Sequence, residues 1–260
     1  MSTIPTLHSA AAEPGAAPTA TARPGWWRRG LLVAVGGFAC ILPTSFAINM
    51  VRFLVTDTHH GHEFHQLTGQ GLVLCALWLG ALVPLLAAGW RGRRPSSAAG
   101  WLHVLLIAVG LALAVPAPGG GAPVLMGIIA VQGALVWLVL PQRPRLRLPV
   151  QVHPLAAPVA LAAAAALTPY VIGQLELQNA ATGHHASNPH YWDQAWIVTT
   201  LLLGGVLGAV LPAVRRLVVV AAAGLAYVGA AGVVLGEDLP WTVVALGSGV
   251  VLAATSAVRR

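Results

Sequence analysis

Lysine is absent from this 260-residue chain, and aspartate and glutamate together number seven. Charged residues make up 8% of it, against about 25% in an average soluble domain, so the composition does not supply a water-solvated surface. Cys40 and Cys75 stand singly inside apolar runs, which excludes a disulfide framework, a zinc ribbon and a CxxC redox pair. Methionine is limited to Met1, Met50 and Met126, too few for a soft thioether path of the kind Cu(I) favours. No ionisable residue falls near the centre of an apolar run, which weakens proton-coupled transport through the bilayer. No nucleotide-binding motif or catalytic serine pattern is present.

What is there is hydrophobic: 57% of residues, with a mean hydropathy of +0.77. A hydrocarbon core about 30 Å thick needs about 20 apolar residues per helix, and eight such runs occur, at about 30–56, 67–90, 101–116, 123–140, 154–176, 194–212, 217–235 and 240–257. The expected fold is all-α, a polytopic membrane protein with eight transmembrane helices. Residues 1–25, rich in Ala, Pro, Ser and Thr, are expected to form a disordered cytoplasmic tail. Arg28-Arg29, the following apolar run and Ser45-Phe46-Ala47 imitate a cleavable signal; the repeat described below argues instead that this segment is retained as a helix.

The formal charge of +7 is organised by topology. Arg23, Arg28, Arg29, Arg91, Arg93, Arg94, Arg143, Arg145, Arg147, Arg215, Arg216, Arg259 and Arg260 all fall on one side of an eight-span layout, leaving Arg52 alone on the other. Asp57, Glu63, Glu176, Asp193, Glu237 and Asp238 fall on the side opposite the thirteen arginines. Because cytoplasmic loops retain arginine, the expected topology is N-in and C-in, in a bacterial plasma membrane. The basic charge therefore belongs to the lipid interface, and no nucleic-acid partner is expected. Eight of the nine tryptophans, Trp192 and Trp196 among them, lie near expected span ends where indoles favour the headgroup region, and only Trp78 is placed deep.

Two outer loops share a pattern. Thr58-His59-His60-Gly61-His62-Glu63-Phe64-His65 and Gly183-His184-His185-Ala186-Ser187-Asn188-Pro189-His190 both contain HHxxxxH, with each histidine pair 125 positions apart (59 to 184, 60 to 185, 65 to 190). The register persists through Leu77 and Leu202, Gly80 and Gly205, and Arg91 and Arg216. We read a tandem duplication of a four-helix unit, with residues 26–148 as the first copy and 149–260 as the second.

Seven of the ten histidines fall in 21 of 260 positions, where even scattering would place fewer than one. A solvated loop explains each singly; a repeated triad is better explained by metal. Neutral imidazole suits zinc and Cu(II), and three imidazoles leave a coordination position open. The candidate ligands are His59, His60, His62, His65, His184, His185 and His190, with Glu63, Asp57 and Asp193 as further ligands or orienting carboxylates. Their spacing does not fit one helical face and Pro189 disfavours a continuous helix, so the ligands are expected on a loop or at a loop–helix junction. Function expected from these residues is binding of copper or zinc at the extracytoplasmic face, for metal uptake, transfer or a membrane metalloenzyme. The alternatives are a scaffold or accessory subunit whose loops dock an extracytoplasmic protein partner, and a transporter whose outer histidines sense pH.

Elsewhere, Thr44, Ser45, Asn49, Gln70, Gln132, Thr168, Gln174, Thr199 and Thr200 are expected mainly to make hydrogen bonds between helices. His103 and His153 stand outside the repeat, and nothing in their spacing pairs them around a haem. Gly204-Gly205-Val206-Leu207-Gly208 permits close internal helix packing. Arg52 and Glu176 are expected to pair if the first and fifth spans flank the seam between the copies.

Overall fold

Apolar runs of the length expected become helices in the computed structural model, which describes residues 25–55, 63–69 and 71–257. The molecule is 82% helical, and among the described residues there is no strand. Ten α-helices follow in order: α1 Trp26–Val55, α2 Glu63–Leu67, α3 Leu72–Trp90, α4 Ser97–Ala114, α5 Ala122–Val139, α6 Ala156–Ala180, α7 His184–Ser187, α8 His190–Val210, α9 Arg216–Leu235 and α10 Leu239–Ala257. Eight of the described segments are long and apolar enough to span a membrane, α2 being joined to α3 in one of them. The tail expected over residues 1–25 lies, except for Gly25, outside the described residues.

The long helices close into two rings of four. In the first, α1 packs on α3, α3 on α4, α4 on α5 and α5 back on α1; in the second, α6 packs on α8, α8 on α9, α9 on α10 and α10 back on α6. The principal seam between the rings is α4 against α8. As a result α8 is the most enclosed helix: 72% of its span is buried, against 22 to 50% for the other seven. Trp192 and Trp196, expected at the headgroup level, are instead fully buried, because α8 has protein on several sides. Trp78 of α3 meets Trp196 edge to face at 6.0 Å, and Trp192 lies 5.0 Å from Trp196.

This layout removes the premise for an Arg52–Glu176 bridge. α1 and α6 share no extensive interface among the described residues, and both side chains are exposed on their own helices. Close packing through glycine does occur within the second ring. A Cβ at Gly208 would stand 2.7 Å from the Val218 backbone nitrogen, so the small residue lets α8 and the start of α9 meet. Across the first ring, Gln132 Nε2 of α5 donates to the Phe38 carbonyl of α1 at 2.9 Å. Thr168 and Thr200 instead donate back to carbonyls of their own helices, Ala164 and Trp196.

The two ends of the bundle differ in chemistry. At the arginine-rich end, Trp101 Nε1 donates to the Leu146 carbonyl at 3.1 Å, and Gln142 Nε2 to that of Gly92 at 3.0 Å. There the chain crosses from the first ring to the second, held by Gln151 N to Val210 O (2.9 Å) and His153 N to Ala209 O (2.7 Å). His153 Nδ1 accepts from Ala156 N at 3.2 Å, satisfying an amide at the start of α6. His103 Nδ1 accepts from Trp137 Nε1 at 2.9 Å. Both imidazoles are thus engaged in separate structural contacts.

Candidate functional site

The opposite end carries the histidines, and one glutamine assembles it. Gln178, buried in the last turn of α6, accepts through Oε1 from the amides of Tyr191 and Trp192, each at 3.2 Å. These are first-turn amides of α8, groups that have no partner within their own helix. Its Nε2 donates to the carbonyls of His185 (3.1 Å) and Asn188 (3.3 Å). A single side chain therefore fixes both ends of the segment that presents α7 and the start of α8. The turn before α5 closes on the same segment. Gly120 has φ +63°, and a Cβ there would fall 2.4 Å from Pro189 N, so only glycine allows that approach.

On this platform His65 from α2 meets the second histidine segment. Its ring lies 5.7 Å from His190 and 5.4 Å from Tyr191, centroid to centroid. His185 of α7 lies 5.5 Å from His190 and 5.3 Å from Tyr191. Four rings from two halves of the chain thus form one cluster around Tyr191 and His190. α2 is anchored by Phe64, whose buried ring meets Trp241 of α10 at 5.5 Å.

Polar groups continue beneath the cluster. Asp193, one turn after His190, is 1% exposed. Its neighbour Gln194 donates through Nε2 to Thr68 Oγ1 at 2.6 Å, joining α8 to the residue that follows α2. Thr68 in turn donates to the Phe64 carbonyl at 2.6 Å. Gly69 leaves room for this link, since a Cβ there would stand 2.8 Å from Gln194 Nε2. Further along α8 lies Trp196, whose ring meets Trp78 of α3 and Trp192, so aromatic rings adjoin the polar layer.

Of the ten sequence-selected residues, the structure brings together His65, His185 and His190, with Asp193 buried one turn further along α8. Glu63 opens α2. His184 opens α7 and is described for its backbone only. Asp57, His59, His60 and His62 lie outside the described residues. The junction expected for the ligands is realised at His190, the first residue of α8; α7 is a single turn that ends before Pro189. Among the described residues no three His, Cys, Asp or Glu side chains already converge as a metal site. The ring centroids of His65 and His185 lie 5.7 and 5.5 Å from that of His190, separations of ordinary ring contacts. Sequence reasoning missed Tyr191 and Gln178. Tyr191 was visible only as a neighbour of His190, and Gln178 carried no signal at all.

A second feature at this end is the turn between α9 and α10. Glu237 and Asp238 border a cavity of about 570 Å³ with Tyr170, Gln174 and Trp241. Partial burial holds the Glu237 carboxyl above the usual carboxylate range, because desolvation disfavours its charged form. Between the unfolded and folded pKa values the native state keeps a proton that the unfolded state has lost, so this residue's contribution to stability falls as pH rises through that window. Glu237→Gln is expected to raise Tm near neutral pH, with the gain shrinking as pH drops into the ordinary carboxylate range. Thermal melts of both proteins across pH check this; a gain that grows toward acid would reverse the sign.

No protein-family model, curated protein or solved structure shows a significant match to this chain.

Proposed function

We propose that this is an integral membrane protein that binds a transition metal, copper or zinc, at its outer face, for uptake, transfer or a membrane metalloenzyme reaction. The observation that carries the reading is the meeting of His65 and His190, the last histidines of two HHxxxxH triads 125 positions apart, with His185 beside them. Imidazoles supplied by α2, α7 and α8 form the donor core. His59, His60, His62, Glu63 and His184 are the additional donors, and Asp57 and Asp193 are carboxylates for ligation or for orienting an imidazole through its second nitrogen. Zinc held there would supply Lewis acidity; as cargo, either ion would be handed onward.

The same proposal includes the duplication and the topology. Two closed rings with the same order of neighbours support a tandem four-helix repeat. The described arginines other than Arg52, gathered at one end, with Glu63, Glu176, Asp193, Glu237 and Asp238 at the other, support N-in and C-in with the histidines extracytoplasmic.

The test is elemental analysis of detergent-purified protein after incubation with Zn(II) or Cu(II) and removal of free ions. Wild type is expected to retain about one ion per chain, and the His65→Ala/His185→Ala/His190→Ala variant to fall to background, while both elute as the same monodisperse species. Equal metal in the two proteins would reject the site.

A further inference from the structure

The arginine-rich end holds a built cavity that the histidine site does not use. Arg29 of α1 and Arg91 and Arg93, just after α3, line a space of about 440 Å³ together with Trp90. Its geometry follows from the way α3 stops. Gly92 adopts φ +64°, letting Gly92 N bond to Gly89 O (3.1 Å) and Arg93 N to Ala88 O (2.8 Å). This left-handed end satisfies the last carbonyls of α3 and places two arginines on either side of one glycine. Arg29 approaches from α1, its guanidinium 5.2 Å from the Trp90 ring centroid. Its Nε is enclosed and makes no hydrogen bond among the described residues. Every described acid, Glu63, Glu176, Asp193, Glu237 and Asp238, lies at the opposite end. Three arginines therefore line one cavity with no carboxylate among the described residues nearby.

A second cavity, apolar and about 430 Å³, shares Trp90 with the first. It runs along α1 and α3 between Leu32, Val33, Gly36, Gly37, Leu86 and Ala87. A cationic pocket and an apolar groove that share Trp90, the pocket at the end of α1 and α3 and the groove along them, match a molecule with an anionic head and a hydrocarbon tail. We propose that this is a binding site for an anionic phospholipid, its phosphate held by Arg29, Arg91 and Arg93 and one acyl chain laid between α1 and α3. Guanidinium presents paired donors that fit phosphate oxygens, and basic pockets between membrane helices take anionic headgroups. The site stands apart from the histidine cluster and does not depend on its metal.

The experiment is native mass spectrometry of the full chain in mixed micelles, titrated with phosphatidylglycerol, phosphatidylcholine or inorganic phosphate. Phosphatidylglycerol is expected to bind at least about tenfold more tightly than phosphatidylcholine. The Arg29→Gln/Arg91→Gln/Arg93→Gln variant should lose about a hundredfold, from roughly fivefold per arginine. Gly37→Leu tests the groove, since a Cβ at Gly37 meets nothing within 4 Å and its side chain has space to enter. It should weaken phosphatidylglycerol with all three arginines intact. Should the triple variant not fold, Arg93→Gln, at an exposed position, should still lose about fivefold. Equal binding of the two lipids, or undiminished binding by the arginine variants, would overturn the proposal. Displacement of phosphatidylglycerol by equimolar inorganic phosphate, with no effect of Gly37→Leu, would also overturn it by reducing the site to a phosphate pocket.

Discussion

Trp196→Ala is expected to destabilise the protein by about 3–5 kcal/mol, as for other large aromatic-to-alanine changes in cores. Trp196 is completely buried on α8, and its Nε1 donates across the seam to the Leu106 carbonyl of α4 at 2.7 Å. It also contacts Trp78 and Trp192. Inside a bilayer the apolar environment is available to folded and separated helices alike, so the loss comes from packing and the missing hydrogen bond rather than from water exclusion. Trp196→Phe should lose less, mainly that bond, at about 1 kcal/mol. Trp192→Phe loses no such bond among the described residues, since its Nε1 is enclosed and unpaired there. Unfolding in mixed micelles measures all three. A loss below about 1 kcal/mol for Trp196→Ala would show that this seam does not hold the two rings together.

Gly249→Ala and Gly229→Ala are expected to lose about 3 kcal/mol each, at the upper end for overpacking. A Cβ at Gly229 would sit 2.3 Å from Leu246 N and 2.6 Å from Thr242 O; one at Gly249 would sit 2.4 Å from Ala226 N and 2.6 Å from Ala222 O. The atoms in the way are backbone, so relief requires α9 and α10 to move apart along their whole contact. Gly247 on the same helix supplies the control, because a Cβ there meets nothing within 4 Å. Gly247→Ala should be neutral or gain up to about 1 kcal/mol from helix propensity. If all three substitutions behaved alike, the backbone contact between α9 and α10 would be disproved.

Helix spans were legible because their physical cause is local. A run of apolar residues long enough for the hydrocarbon core, ended by arginine, proline or glycine, identifies a crossing whatever its neighbours are. The runs expected from about 217–235 and 240–257 are α9 Arg216–Leu235 and α10 Leu239–Ala257. The segregation of arginine from acid was legible for the same reason, since each charge is placed by its position along the chain. The repeated HHxxxxH places His65 and His190 at matching positions 125 residues apart, among ten candidate ligands.

Neighbour relations were not legible, because every membrane helix is apolar and hydropathy does not distinguish a face toward lipid from a face toward protein. Trp192 and Trp196 lie near the end of their span, which suggests a headgroup belt; the enclosure of α8 by α4, α6 and α9 buries them instead. Arg52 and Glu176 suggested a pair across a seam of the first and fifth spans, whereas the rings meet chiefly through α4 and α8. Gln178 becomes the organiser of the histidine platform only when the end of α6 lies beside the start of α8. Helix spans and the separation of arginine from acid along the chain thus follow from linear order, because each depends on the local residues alone. Which helices touch, and which rings meet, depends on non-local packing, and the tertiary structure decides it.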